Sequence, residues 1–305
     1  MILRGLLAVG LWLAIVLQTV WSPANAAPRI VMTWVAPYAV AGTRTQLDGL
    51  YAGSGPRNAL THLGLQFWVP TTNGFVAKSI QYGAVSDATI QDFITWGHAN
   101  GVKVLLTVYN GDDGWNWLLA RQGFEFNRNR FTTALVAEMQ RLGLDGIDLD
   151  LEADSAYPYA NGQRAAYVFF ARELARRVHL LGKQVTVDSF PYVWNAPNVS
   201  WWKDLFPYVD YINSMGYSDL GRYAPTWQAF SWQKAAAGAY HGKLGIGVPS
   251  NAAIWQGNLA TTHLDWFLMA GAGRTGVAIW DGQNQSSTWR FHPVWQRLKA
   301  VRNTP

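Results

Sequence analysis

Cysteine is absent from the 305 residues. That excludes a disulfide framework, zinc–thiolate sites, a thiol nucleophile and a cysteine-linked lipid anchor. Charge is also scarce: Asp, Glu, Lys and Arg make up 14% of the chain, against roughly a quarter in an ordinary soluble protein. Half of the residues are hydrophobic, so the chain is not intrinsically disordered, which needs low hydrophobicity and high net charge. The formal charge of +5 raises the question of a nucleic-acid partner. Only 7 of the 24 basic residues are lysine, and they are scattered. The denser groups are Arg121, Arg128, Arg130 and Arg172, Arg176, Arg177, and the second trio, within a helical pattern, reads as a solvated face. No glycine-rich phosphate loop, internal repeat, linker or low-complexity tract interrupts the chain, and one domain is expected.

What is abundant is aromatic surface. The 17 Trp, 13 Tyr and 13 Phe exceed what a core needs and point to flat, partly polar ligands, sugars above all, that stack on rings. At the N-terminus, a short basic start at residues 1–4 precedes an apolar run over 5–20 and the A-x-A site Ala24-Asn25-Ala26. The run is shorter than the roughly 20 residues of a membrane span. Residues 1–26 are expected to be a signal peptide and 27–305 the mature domain, secreted or periplasmic.

The mature part alternates between two patterns. Strands are expected at 29–35, 62–69, 102–109, 144–151, 184–188, 208–215, 243–248 and 276–280. Helices are expected at 87–99, 130–141, 163–181, 226–237, 262–269 and 293–301, with an extra hairpin within 71–83. Eight strands alternating with helices over this length specify an α/β fold, a (β/α)8 barrel. Helix-to-strand links are terse, whereas strand-to-helix links are long and rich in rings, with Trp115 and Trp117 in one, and Tyr192, Trp194, Trp201 and Trp202 in another. Trp227, Trp255 and Trp289 lie on or near later ones. All these links gather at the C-terminal face of a barrel, where an aromatic-lined cleft is expected.

The fourth strand carries the chemistry: Asp145-Gly146-Ile147-Asp148-Leu149-Asp150-Leu151-Glu152. Strand side chains alternate, so Asp148, Asp150 and Glu152 share one face and the apolar residues the other. The carboxyls then climb the inside of the barrel, with Glu152 at the mouth. Burying three like charges is costly unless they share protons, which keeps Glu152 an acid near neutral pH. A Mg²⁺ or Ca²⁺ site is a rival for clustered carboxylates, but no calcium-loop spacing follows, and neither metal nor cofactor is expected. Hydrolysis by two opposed carboxylates needs groups roughly 5–10 Å apart across the bond. Here all sit on one strand face, so the nucleophile must come from another loop or from the substrate.

These eight residues resemble the DGxDxDxE signature of glycoside hydrolase family 18, the chitinases and endo-β-N-acetylglucosaminidases. Asn213-Ser214-Met215-Gly216-Tyr217-Ser218 looks like that family's Met-x-Tyr-Asp element, and Trp280 like the tryptophan that floors its reacting-sugar subsite. The resemblance implies that Glu152 protonates the glycosidic oxygen and Asp150 holds the substrate's N-acetyl group. Asp148 would share a proton with Asp150. Tyr217 would bond the acetyl oxygen as it attacks the anomeric carbon, so the substrate supplies its own nucleophile. Met215, Trp280, Trp34, Phe67, Asn110, Ser218 and Asp219 are the candidate substrate contacts. Two departures stand out: Ser218 occupies the position of the family's Asp, with Asp219 next. The third strand ends Thr107-Val108-Tyr109-Asn110-Gly111 where the family has Ser-x-Gly-Gly. The implied partner is an N-acetylglucosamine-containing oligo- or polysaccharide, bound by a monomer with no nucleic acid and no membrane contact after signal cleavage. The alternatives are N-glycan or peptidoglycan-fragment cleavage, or a lectin on the same fold.

Overall fold

Apolar residues at every second position send one face of each strand against helices, and eight such strands close on one another. The computed structural model describes residues 29–48, 53, 55–156, 158–160, 162–216, 227–248, 261, 264–265, 275–280 and 292–303. The strands are β1 (Val31–Val35), β2 (His62–Pro70), β3 (Val76–Lys78), β4 (Lys103–Tyr109), β5 (Gly146–Asp150), β6 (Gln184–Ser189), β7 (Tyr211–Ser214), β8 (Leu244–Val248) and β9 (Gly276–Ile279). Around them run α1 (Val40–Asp48), α2 (Pro56–Ala59), α3 (Asp87–Ala99), α4 (Trp117–Arg121), α5 (Arg128–Leu142), α6 (Gln163–His179), α7 (Trp202–Leu205), α8 (Trp227–Ala237) and α9 (His292–Asn303).

Parallel pairing follows the order β1-β9-β8-β7-β6-β5-β4-β2, and β1 pairs with β2 to close the ring. This is the expected (β/α)8 barrel. The extra strand β3 folds back antiparallel on the end of β2, Trp68 opposite Lys78, which is the hairpin expected within 71–83. The expected leader (1–26) and most of the expected helix at 262–269 lie outside the described residues.

Local signals set the helix ends. Ser86 caps α3 by accepting the Thr89 N–H at 3.1 Å, and Asp87 in the first turn complements the helix dipole. At the end of α5, Gly143 adopts φ +75, a left-handed conformation that glycine takes without strain, and the chain turns straight into β5.

The core between sheet and helices takes Ile147, Leu149 and Leu151 from the β5 segment and Phe131, Leu135, Tyr167, Phe170 and Leu174 from α5 and α6. Much of the aromatic surplus belongs here and not to a sugar cleft. Trp68, Trp117, Trp201 and Trp202 are fully buried. Trp117 and Trp201 both pack on Tyr167, at 6.2 and 5.7 Å between ring centres. Rings on strand-to-helix links can fold under the links as readily as over the cleft, and sequence alone does not separate the two.

The barrel interior is polar on one side. Register sets Thr107 beside Asp148 and Asp148 beside Thr186, while Asp188 pairs with Asn213. Across the barrel, Gly64 makes room for an indole: a Cβ there would lie 2.4 Å from Trp34 Cδ1 and 2.7 Å from Thr107 Oγ1.

Candidate active site

The lowest carboxyl of the row, Asp148, is wholly buried. Its Oδ2 accepts from Trp34 Nε1 at 2.8 Å and from Thr107 Oγ1 at 2.9 Å, and its Oδ1 accepts from Thr186 Oγ1. Burial pushes its pKa up, and these donors together with a hydrogen bond to Asp188 act against that rise. A carboxyl ringed by three donors is arranged for the ionised form.

One layer higher, Asp150 accepts from Gln66 Nε2 at 2.6 Å through Oδ2. Burial, and then the charge of Asp148, raise its pKa to about 6, while hydrogen bonds from Glu152 and Gln66 pull the other way. Its Oδ1 is buried without a donor from an amide, hydroxyl or ring. The carboxyl–carboxyl hydrogen bond with Glu152 requires a proton between them. Glu152, at the top, is pushed well above the ordinary glutamate range by burial, by the charge of Asp150 and by that hydrogen bond. These causes favour the protonated form of Glu152, the form that a general acid needs.

A fourth carboxyl completes the cluster. Asp188, at the end of β6, is raised well above the ordinary range by burial and by the charges of Asp148 and Asp150, against a 3.0 Å hydrogen bond from Asn213 Nδ2. The family pattern pairs Asp148 with Asp150 for proton sharing. Here Asp148 has carboxyls on two sides: its charge raises the pKa of Asp150 on its own strand and of Asp188 on β6.

Gln66, Trp115, Asp150, Glu152, Asp188, Phe190, Met215 and Trp280 line one cleft of about 200 Å³ at the C-terminal mouth. Trp115 sits there with φ +59, a left-handed conformation rare for a bulky residue, and its ring packs on Tyr109 at 6.3 Å. Half-buried Trp280 leans over Trp34, ring centres 6.2 Å apart, and packs with Met215, Phe190 and Tyr192. Tyr192 in turn stacks on the half-exposed Trp194 at 4.0 Å.

Of the expected substrate contacts, Met215 and Trp280 line the cleft and three others do not. Trp34 is buried beneath Trp280 with its N–H engaged by Asp148. Phe67 points the other way, into the core against Trp68 and Phe93, because β2 turns Gln66 inward and Phe67 outward. Asn110 is 1% exposed, and both ends of its amide hold the backbone of Glu152: Oδ1 accepts the Glu152 N–H at 2.7 Å and Nδ2 donates to its carbonyl at 2.8 Å. It fixes the backbone at Glu152. Tyr217, Ser218 and Asp219 lie outside the described residues, as do Trp255, Trp289 and the side chain of Trp227. Asp145, first in the motif, is a fastener at the opposite end of the strand. It accepts the Val104 N–H at 3.0 Å and meets His98 Nε2 at 2.8 Å and Lys183 Nζ at 3.2 Å.

Sequence reasoning missed Gln66 and Asp188. Each is a polar residue in the inward phase of an apolar strand, a signal present in the chain but weaker than a row of three carboxyls. Replacing Asn110 by Ala is expected to lower kcat about tenfold and to destabilise by about 1–3 kcal/mol, since it leaves two buried backbone groups unpaired. Turnover on a chromogenic substrate together with thermal unfolding checks this; unchanged kcat with lowered stability would mean that the clamp does not position the acid.

A (β/α)8 barrel with a carboxyl row rising to a glutamate at its C-terminal mouth is the architecture of a glycoside hydrolase. The model of the Glycosyl hydrolases family 18 matches residues 35–300, and the chain belongs to that family. Similar solved structures include a chitinase from Chromobacterium violaceum (17% identity, 88% of this chain and 99% of that one, TM-score 0.67). A Group IV chitinase from Ostrinia furnacalis in complex with allosamidin covers 90% and 98% at 17% identity, TM-score 0.65. The spore cortex-lytic enzyme SleL of Bacillus cereus covers 91% and 75% at 16% identity, TM-score 0.64. No curated protein matches the chain.

Proposed function

We propose that this glycoside hydrolase is exported and cleaves β-1,4 bonds next to N-acetylglucosamine, with retention of configuration and with the substrate's own acetamide as nucleophile. The observation that carries this reading is the one-sidedness of the carboxyls. Asp148 and Asp150 lie on β5, Glu152 two residues past its end and Asp188 on the adjacent β6, and among the described residues no carboxylate faces them across the cleft. That leaves an acid without an opposed enzyme nucleophile. The family, the chitinase neighbours and the allosamidin held by one of them support an N-acetylglucosamine glycan as substrate.

In this mechanism Glu152 gives its proton to the glycosidic oxygen, and the leaving sugar departs as an alcohol. The acetyl oxygen bonds to the anomeric carbon, closing an oxazolinium ring. Asp150, freed from Glu152 as that proton leaves, accepts the acetamide N–H and balances the developing positive charge. Water then attacks the anomeric carbon, giving its proton to the Glu152 carboxylate, and the ring reopens to the N-acetyl sugar. Gln66 holds Asp150 in place, and Trp280 floors the sugar. Tyr217 is the expected partner of the acetyl oxygen.

The test is substrate chemistry. N-acetylated chito-oligomers should be cut with retention, their fully deacetylated counterparts should not, and a thiazoline imitating the cyclic intermediate should inhibit. Equal hydrolysis of the deacetylated oligomer, or a trapped glycosyl–enzyme adduct, would overturn the mechanism. An uncut oligomer that still binds would make the protein a lectin.

A further inference from the structure

The two arginine groups that the sequence presents as separate meet in the fold. Arg128, the first residue of α5, and Arg172 of α6 hold their guanidinium groups over the same half-exposed ring, Phe169, at 4.2 and 4.5 Å. Arg172 also reaches the Tyr208 ring at 5.9 Å, Arg130 covers Phe75 at 5.3 Å and Arg121 covers Phe126 at 4.9 Å. These are all the guanidinium–ring contacts found among the described residues, and they form one strip across the outer wall from the β2–β3 hairpin over α5 and α6 to α7. Two hollows flank it. One, of about 660 Å³ between α6 and α7, is lined by Arg164, Phe169, Arg172, Lys203 and Tyr208 among others. The other, of about 480 Å³, is lined by Phe126, Arg128 and Arg130. Neither shares a residue with the catalytic cleft.

Acids on the strip leave its charge uncancelled. Glu125 pairs with Arg121 at 2.6 Å, Asp204 with Arg164, and Glu173 lies 3.7 Å from Arg172. Among the described residues, Arg128 and Lys203 are paired with no carboxylate. A guanidinium held against a ring keeps its charge and the N–H donors with which it forks a carboxylate or phosphate. Rings capped by guanidinium groups are poorly suited to entering hydrocarbon. Position favours a glycan over a nucleic acid. Arg128 opens α5, the helix that ends the long link carrying Trp115 and α4, and Arg164 stands in the first turn of the helix that follows the Glu152 loop. Helix starts lie at the mouth of a barrel, so the strip begins on the same face as the cleft and runs from there down the outer wall.

We propose that the strip is a second glycan-binding site, one that takes a polysaccharide bearing carboxylate or phosphate groups. This rests on the glycosidase reading and narrows it, since such a polymer is an acidic N-acetylglucosamine glycan and not neutral chitin. The strip holds the polymer while the cleft cuts it.

Co-sedimentation of the full chain with purified peptidoglycan tests the proposal, using colloidal chitin, a DNA duplex and phosphatidylglycerol vesicles as comparators. The wild type should bind peptidoglycan more tightly than chitin, losing about tenfold in affinity between low and moderate salt, as screened charges do. Stripping phosphate polymers with hydrofluoric acid separates the sources: retained binding assigns carboxylates, lost binding assigns phosphates. Arg128→Gln with Arg172→Gln should weaken this binding about fivefold or more, while kcat/KM on a neutral chito-oligomer stays unchanged. Arg128→Lys with Arg172→Lys keeps the charge without the fork and should fall between; it decides the matter if the glutamine pair does not fold. Equal binding by wild type and the glutamine pair, or tighter binding to DNA or vesicles, would overturn the site. If no N-acetylglucosamine glycan is cleaved but salt-sensitive, arginine-dependent binding to peptidoglycan persists, the activity fails and the site stands.

Discussion

Glu152→Gln should keep the fold and the sugar complex yet lose about 10²–10⁴ in kcat, the usual contribution of a general acid. Glutamine preserves the shape of the side chain, and the Asn110 clamp acts on the Glu152 backbone, so the chain path does not depend on the carboxyl. KM should change little, because the lost proton transfer acts on the transition state and not on ground-state binding. The loss should shrink on substrates with good leaving groups, which need no protonation. Wild-type turnover on an unactivated oligosaccharide would remove Glu152 from the acid's role.

Asp150→Asn should act in opposite directions on activity and on stability. Activity should fall by about 10²–10³, the effect of losing one preorganised electrostatic contact to a developing charge. Stability should rise at neutral pH. Burial and the neighbouring Asp148 lift the Asp150 pKa from 3.8 to about 6. A carboxyl whose folded pKa is raised leaves stability untouched below its unfolded pKa. It removes stability as pH climbs from there through the folded value. Asparagine carries no such charge. Wild type and variant should therefore unfold alike near about pH 3, diverge between about pH 4 and pH 6, and keep a constant gap above that, the variant being the more stable. Denaturant unfolding at the two pH values reads this directly. A variant less stable at neutral pH would mean that the ionised Asp150 has a compensating partner.

The elements that could be read from sequence are those set by local pattern. Alternation in 144–151 marks both β5 and its carboxyl face, and the 3.6-residue period of 87–99 coincides with α3, whose Ser86 cap stands one residue ahead. The acid row was legible for the same reason: three carboxyls two residues apart on one strand need no tertiary information to share a face. Phe67 shows the limit. Its type and its place near a strand end suit a sugar contact, but the inward phase of β2 belongs to Gln66, and in a strand bounded by apolar residues on both faces nothing local states which phase faces in. The rings of the loops failed likewise. Trp115 and Trp117 stand two residues apart; one lines the cleft and the other is buried on Tyr167.

Eight strands, the order of helices and the rising row of Asp148, Asp150 and Glu152 follow from periodicity along the chain, because each depends on neighbours within a few residues. Partnership across the barrel does not. That Asp188 joins the carboxyls around Asp148, that Asn110 holds the backbone of Glu152, and that Arg128 and Arg172 share one ring came only from closure of the sheet and the packing of α5 on α6. These residues are 40 or more positions apart in each case. Their contacts, and the proton affinities that depend on them, are set by strand register and by burial in a low-dielectric interior, which a one-dimensional pattern does not contain.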